Sequence, residues 1–232
     1  MSQTAKLMCE CPKCKFNHEV SLYESINVTL SPELKDKLFR GELFKYRCPE
    51  CGFDFLINHK CLYHDMKKRY MIYLIPDSEN TEELASSIVE NLKNLTGPDT
   101  VDSIKKEMAS YKLRIVNEPN RLIEKIKILD QDINDKVIEL CKMVIMFNYL
   151  KDSNAPDINK VLFDYKDENV NFIIFTTDRK SFKAALPSST YDEILSNLKS
   201  SPLYEEEMAF KTIDLVWATD AVQNYHVLNQ KH

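Results

Sequence analysis

The sequence predicts an α+β protein, in which an N-terminal zinc-ribbon-like β module with an inserted helix is followed by a part of helices and sheet. Two Cys-Pro-x-Cys motifs lie at residues 11–14 and 48–51, with a short helical pattern between them. Beyond residue 76, segments of two-residue apolar alternation are mixed with segments whose apolar residues recur at helical spacing. Such a mixture is typical of helices packed on a sheet.

Each Cys-Pro-x-Cys motif places two thiols on one tight turn, and two such turns supply four tetrahedral ligands to one cation. The predicted ligands of a structural Zn²⁺ are Cys11, Cys14, Cys48 and Cys51. The alternatives are thiol–disulfide exchange, which uses C-x-x-C at a helix N-terminus, and an unligated set of thiols. Aromatic residues alternate with others on both sides of the second motif, from Phe44 to Phe55, which favours a strand–turn–strand and therefore a metal.

The two motifs differ in the residue that follows the second cysteine. Gly52 follows Cys51, and glycine adopts the positive φ of a tight turn without steric cost. Lys15 takes the equivalent position after Cys14. Lys15 must therefore supply any positive φ in the first turn, or the first turn has a different conformation.

A helix is predicted within the 33 residues between the motifs, a gap longer than a compact ribbon needs. Ser31 is a favourable N-cap, Pro32 suits the first helical position, and Gly41 suits the left-handed residue after the helix. Leu34 and Leu38 share one face of this helix, which we expect to be buried.

Alternating apolar patterns predict the strands of the N-terminal part. These strand segments are 6–9, 16–20, 43–47, 53–57, 61–65 and 70–75. Pro, Asp, Ser, Glu and Asn then cluster at residues 76–82. We place the domain boundary there, between a zinc-ribbon-like domain at 1–76 and an α+β domain at 77–232.

Helical and alternating patterns both occur in the second domain. Helices are predicted at 84–95, 121–129 and 191–199, and a further helix, buried against a sheet, begins at Asp132 or Asn134 and extends to 147. Strands are predicted at 112–116, 161–165, 170–177 and 212–218. The C-terminal part therefore has the predicted order strand, strand, helix, strand.

Composition and charge disfavour several classes of function. The net charge of −5 gives no general attraction to nucleic acid or to an anionic membrane, although residues 1–75 hold 12 basic against 9 acidic residues. No apolar run approaches the roughly 18 residues of a membrane span. Seven cysteines without an export segment are typical of a reducing compartment. We therefore expect a cytoplasmic protein.

The sequence contains no recognisable catalytic motif. Each of the three glycines has a predicted role at a turn or a helix end, so none is left for a phosphate-binding loop. His64 and Asp65 could form an acid–base pair, or they could satisfy each other as polar groups at a strand end. Four residues could also contribute to a metal site or stay unligated: Cys9, Cys61, His59 and His64.

The cysteine motifs resemble those of the CpXC family, a group of bacterial and archaeal proteins of unknown function named for two Cys-Pro-x-Cys motifs. The similar segments are 11–14, 32–43, 46–52, 62–65, 114–116, 122–126 and 135–140. The resemblance covers roughly residues 7–140. It implies a metal-binding ribbon joined to an α+β part, and it implies no reaction.

The leading hypothesis for function is a zinc-ribbon protein that binds another protein. An alternative is a nucleic-acid-binding ribbon, whose candidate contacts are Lys45, Tyr46, Arg47, Lys67, Lys68 and Arg69. A further alternative is an enzyme that uses His64 and Asp65. An enzyme is less favoured, because four cysteines fill the coordination of the metal and leave no position for water.

Overall fold

The computed structural model describes residues 2–76, 108–151, 155–166, 169–206, 209–225 and 227–228. Helices and strands both occur throughout this part of the chain, which confirms the predicted α+β class. The chain divides into two compact units, Met1–Ile123 with Glu207–Lys211, and Glu124–Glu206 with Thr212–His232. The predicted helix at 84–95 lies outside the described residues, and so does nearly all of the predicted boundary at 76–82, so both stay predictions.

Strands outnumber helices in the described part of the chain. The strands are β1 (Gln3–Glu10), β2 (Asn17–Asn27), β3 (Lys45–Arg47), β4 (Asp54–Leu56), β5 (Cys61–Asp65), β6 (Tyr70–Leu74), β7 (Lys112–Val116), β8 (Ile158–Lys166), β9 (Asn169–Thr176), β10 (Ser181–Ala185) and β11 (Lys211–Thr212). The helices are α1 (Glu33–Phe39), α2 (Pro119–Asp130), α3 (Asp135–Tyr149), α4 (Ser188–Lys199) and α5 (Leu215–Tyr225), with a 3-10 turn at Pro202–Tyr204. None of these described helices combines the length and the apolar character needed to cross a membrane.

Six strands form one mixed sheet in the order β1-β2-β5-β6-β7-β11. Antiparallel pairing joins β1 to β2 and β5 to β6, whereas β2 pairs with β5 and β6 pairs with β7 in parallel. Parallel neighbours need a long crossover, and the connection from β2 to β5 contains α1 and the second cysteine motif. A separate two-stranded sheet of β3 and β4 surrounds that motif.

Helix α1 occupies the predicted position and buries both predicted leucines. The predicted N-cap at Ser31 is wrong, because Pro32 is the capping residue and no side chain bonds the first turn. Gly41 ends the helix as predicted, with a φ of 72° and its N–H donating to Leu38 O at 2.9 Å.

The second unit contains a three-stranded antiparallel sheet in the order β10-β9-β8. The predicted hairpin of β8 and β9 is confirmed, with Phe163 opposite Phe172. Helix α3 packs on β8, α4 and α5, and it is buried on all sides over much of its length. Asn134, one of the two predicted caps, starts this helix by accepting the N–H groups of Lys136 and Val137.

The predicted closing strand at 212–218 is wrong. Only Lys211–Thr212 is extended, and α5 begins at Leu215. Asp214 Oδ1 accepts the N–H groups of Val216 at 3.0 Å and Trp217 at 3.1 Å, the pattern of a helix N-cap. This cap outweighs the strand preference of the β-branched and aromatic residues that follow Lys211.

Charged side chains are buried in the second unit. Lys142 Nζ lies 2.8 Å from Glu124 Oε1 and 2.9 Å from Glu139 Oε1, and Lys125 Nζ lies 3.1 Å from Asp135 Oδ2. Each of these five side chains is at most 6% exposed. Burial alone would lower the pKa of Lys142, but the carboxylates of Glu139 and Glu124 outweigh this and raise it. Lys142 therefore stays charged at neutral pH.

Candidate metal centre

The first cysteine turn, residues 11–15, connects β1 to β2. Cys11 N–H donates to Phe16 O at 3.0 Å, and Lys15 N–H donates to Cys11 O at 2.9 Å. Lys15 has a φ of 64°. Of the two alternatives for the first turn, the structure shows the positive φ at Lys15, although it costs a residue with a side chain about 1 kcal/mol.

The second cysteine turn, residues 48–52, connects β3 to β4 and repeats the bonds of the first. Cys48 N–H donates to Phe53 O at 2.9 Å, and Gly52 N–H donates to Cys48 O at 3.0 Å. Gly52 has a φ of 67°. Because these bonds use only backbone groups, the two turns share one conformation despite their different residues.

We expect substitutions at the two positive-φ positions to have opposite effects. Gly52→Ala will destabilise the first unit by about 1 kcal/mol, because alanine disfavours this φ. Its Cβ would also lie 3.4 Å from Nη2 of Arg47. Lys15→Gly will leave stability unchanged or raise it, because relief of the strained φ offsets the added freedom of the unfolded chain. Denaturant unfolding of the metal-loaded proteins measures both changes, and equal destabilisation by the two substitutions would contradict the expectation.

The two turns bring the four predicted ligands together. The sulfur atoms of Cys11, Cys14, Cys48 and Cys51 all lie within 4.8 Å of one another. The Sγ atoms of Cys11 and Cys51 are 3.7 Å apart, and those of Cys14 and Cys48 are 3.6 Å apart. All seven cysteines are free thiols. In the described part of the chain, this is the one group of three or more side chains placed to hold a metal ion.

These distances fit a tetrahedral metal and not a disulfide. Zn–S bonds of about 2.3 Å place tetrahedral sulfurs about 3.8 Å apart, whereas disulfide sulfurs lie about 2.05 Å apart. Four thiolates around one Zn²⁺ would occupy every tetrahedral position. The chemistry that such an ion supplies is structural, since it joins two distant turns and leaves no position for a substrate.

The thiols of the cluster affect one another strongly. Burial acts to raise the pKa of Cys11, but the backbone N–H groups of Cys14 and Lys13 and the neighbouring thiols outweigh it and lower the pKa to about 6. For Cys14, a hydrogen bond with the backbone of Phe16 acts to lower the pKa of the thiol. Burial and the thiols of Cys51, Cys11 and Cys48 outweigh this bond and raise the pKa to about 12. Close thiols resist a second negative charge, so all four would ionise together only around a bound divalent cation.

The three remaining cysteines lie outside the cluster. Cys61 and Cys141 are fully buried, and burial raises the pKa of each to about 12. Cys9 is partly exposed on β1, with its Sγ 3.7 Å from Glu10 O. Neither Cys9 nor Cys61 belongs to the group of sulfurs that could share a metal.

We expect Cys9 to be the one thiol of the metal-loaded protein that reacts with a thiol reagent at neutral pH. Partial burial raises the pKa of Cys9 too, so the difference is one of access. Cys61 and Cys141 are fully buried and burial raises the pKa of each to about 12, whereas Cys9 is partly exposed. Removal of the metal with a chelator will raise the number of reactive thiols by the four of the cluster. Cys141 will react only when the second unit unfolds. Titration with a chromogenic disulfide reagent measures these steps, and a second fast thiol before chelation would contradict the assignment.

The histidine near the second turn has structural contacts. His59 Nδ1 lies 3.2 Å from Ile57 O, and His59 Nε2 lies 3.1 Å from Tyr23 O. Its ring packs on Phe44, with centroids 5.1 Å apart. The ring therefore links the chain after β4 to β2, and His59 is not placed with the cluster sulfurs.

His64 and Asp65 are separated by the geometry of β5. Consecutive strand residues point to opposite faces of the sheet, so these two side chains diverge. His64 Nε2 lies 3.3 Å from Tyr111 Oη. Asp65 Oδ1 accepts the N–H groups of Lys67 and Lys68, each at 3.0 Å, and so closes the turn between β5 and β6. Both side chains therefore have structural contacts, but with Tyr111 and the turn backbone and not with each other as the sequence alternative expected.

A phenylalanine follows each cysteine turn at the same position. Phe16 is 42% exposed and Phe53 is 40% exposed. Phe16 stacks on His18 with ring centroids 6.0 Å apart, and Lys13 Nζ lies 5.8 Å from the centroid of Phe53. This exposed pair is not among the residues predicted from the sequence. The signal was present, since each phenylalanine lies two positions after the second cysteine of its motif.

The candidate nucleic-acid contacts lie in two separate segments. In β3, Lys45 Nζ lies 2.9 Å from Asp54 Oδ2, and this hydrogen bond lowers the pKa of Asp54. Tyr46 Oη donates to Leu43 O at 3.2 Å. Arg47 is the last residue of β3, and the other three candidates, Lys67, Lys68 and Arg69, follow Asp65 in the turn between β5 and β6.

These features define an α+β protein with paired cysteine turns whose four thiols could hold one metal ion. The family model described as CpXC protein matches residues 9–142, more than half of the chain and all four cluster cysteines. The chain belongs to the CpXC family, which confirms the resemblance seen in the sequence. No curated protein and no solved structure matches the chain.

Proposed function

We propose that this CpXC protein is a cytoplasmic zinc protein that docks another protein through the surface of its two cysteine turns. The observation that carries the proposal is the convergence of four thiols within 4.8 Å from turns far apart in the sequence. An all-thiolate tetrahedral set is typical of structural Zn²⁺. The seven free thiols support a reducing compartment, where zinc–thiolate sites persist and disulfides are rare.

The exposed phenylalanines support the docking role. Phe16 and Phe53 are each about two-fifths exposed, although the turns that present them are fixed by backbone bonds and by the proposed metal. Leu56, on β4, is 70% exposed. Exposed apolar side chains on a rigid support are a feature of protein interfaces, where aromatic residues often dominate the binding energy.

The nucleic-acid alternative has less support. Two lysines near the turns are paired with carboxylates, which offset their charges. Lys45 Nζ lies 2.9 Å from Asp54 Oδ2, and Lys15 Nζ lies 3.1 Å from Glu10 Oε1. Four thiolates on one Zn²⁺ would add a net negative charge beside these turns. The enzyme alternative also has less support, because His64 and Asp65 make the structural contacts described above.

Affinity purification with matched variants tests the docking surface. We expect one protein to be recovered with the wild type and lost with the Phe16→Ser/Phe53→Ser double variant. The control is Phe39→Ser, since Phe39 is a similarly exposed phenylalanine, at 38%, on α1. Metal content confirms that the double variant keeps its cluster. If nuclease treatment removes the recovered partner, the nucleic-acid alternative is favoured. Equal recovery of the partner with the double variant and with Phe39→Ser would contradict this docking surface.

A further inference from the structure

A cavity of about 170 Å³ lies in the second unit, among α3, β9 and the start of α4. Cys141 and Phe172 form its floor, and both are fully buried. Val170, Leu186 and Tyr191 line its walls and are half-buried. The lining except Cys141 belongs to the part of the chain beyond the family match. The cavity is therefore independent of the proposed zinc site.

The size and the lining of the cavity define what it can hold. An apolar cavity of about 150 Å³ in a protein core stays dry and accommodates a benzene ring. The floor is uncharged, because burial raises the pKa of the Cys141 thiol to about 12 and keeps it protonated at neutral pH. The cavity therefore suits one aromatic ring or a compact branched aliphatic group.

Among the described residues, the rim of the cavity is polar and carries one charged side chain. Ser188 and Asp192 lie there and are exposed, and both belong to α4. Asp192 forms no salt bridge with another residue in the described part of the chain. Asp192 is the fifth residue of α4 and lies beyond its first turn, which contains no acidic residue. Its carboxylate is therefore not accounted for by stabilisation of the helix N-terminus.

We propose that this cavity binds a small primary amine with a compact apolar or aromatic body. The body of the ligand contacts Cys141 and Phe172, and the ammonium group pairs with Asp192 at the rim. A carboxylate that lines a cavity whose buried residues are uncharged favours a cation over an anion of the same shape. This binding goes beyond the proposed function and does not involve the cysteine turns.

Fluorine NMR of the full-length, metal-loaded protein tests the proposal with two matched probes, 4-fluorobenzylamine and 4-fluorobenzyl alcohol. We expect saturable binding of the amine and binding of the alcohol about threefold weaker, the difference expected for one partly exposed ion pair. Asp192→Asn will remove this difference between the probes. The absence of saturable amine binding, or equal affinity of the two probes for the wild type, would overturn the proposal.

A second pair of variants places the ligand in the cavity. Cys141→Leu fills the floor and will weaken amine binding at least about tenfold, because the ring and the new side chain compete for the same volume. Cys141→Ala leaves the volume open and will retain binding. Undiminished binding to folded Cys141→Leu would overturn the assignment. If this variant does not fold, the comparison of probes with Asp192→Asn still decides the question.

Discussion

Replacing Cys11 or Cys48 with serine will abolish metal binding and unfold the first unit. Each substitution removes one of four ligands and leaves a hydroxyl that binds Zn²⁺ poorly. Structural zinc contributes roughly 10–16 kcal/mol of apparent binding free energy in small zinc domains, as much as the whole stability of a typical domain. The metal is therefore expected to decide whether the turns and the strands beside them fold.

The matched control is Cys9→Ser, two positions before Cys11 on β1 and outside the cluster. We expect this variant to keep one zinc per chain and its fold. Elemental analysis gives the metal content, and hydrogen exchange resolved by segment shows which unit unfolds. A Cys11→Ser or Cys48→Ser protein that protects residues 3–74 as well as the wild type would contradict the structural role of the site.

Replacing Lys142 with methionine will destabilise the second unit by about 3–5 kcal/mol. The substitution leaves the carboxylates of Glu124 and Glu139 buried without the ammonium group that lies within 2.9 Å of both. Removing one partner of a buried ion pair costs about this much because the remaining charges stay out of water with weaker partners. Glu139 keeps Lys125 Nζ at 3.7 Å, and Glu124 keeps the N–H of Phe163 at 2.6 Å. The control is Lys151→Met, whose exposed side chain follows α3 and contacts Asn148 and the ring of Phe147, with no carboxylate left buried by its loss. We expect little change from it.

The effect at Lys142 has a defined pH dependence. Because folding raises the pKa of Lys142 above its ordinary value of 10.5, its contribution is fully present below that value. The contribution is lost only as the pH rises through the folded pKa. The difference between wild type and Lys142→Met in urea unfolding should therefore stay constant around neutral pH and shrink in strong alkali. A difference at neutral pH no larger than that of Lys151→Met would contradict the importance of the network.

The parts of the fold predicted correctly depend on local signals. Each cysteine turn is fixed by bonds between residues at most five positions apart. The alignment of the two motifs left two alternatives for Lys15, a positive φ or a different turn, and the structure has the positive φ. The leucine spacing and Gly41 fix α1 in the same local way. The hairpin of β8 and β9 was recognisable because apolar and polar residues alternate in both strands, which are joined by a short polar connection.

The features that were missed depend on competition between local helix and strand preferences, or on partners far away in the sequence. Residues after Lys211 have strand-like composition, and only the hydrogen bonds of Asp214 decide for a helix. The parallel pairing of β2 with β5 and of β6 with β7 joins segments whose sequences do not encode their neighbour. Buried lysines such as Lys142 look like solvated positions, because burial of a charge depends on partners from another helix.

X-ray absorption at the zinc edge of the purified native protein tests the central claim most directly. The account predicts one zinc per chain with four sulfur neighbours at about 2.3 Å and no nitrogen or oxygen in the first coordination shell. Two of those sulfurs come from each cysteine turn, so Cys11→Ser must reduce the zinc content of the protein. A chain purified without metal, a site with oxygen or nitrogen ligands, or cysteines joined as disulfides would contradict it.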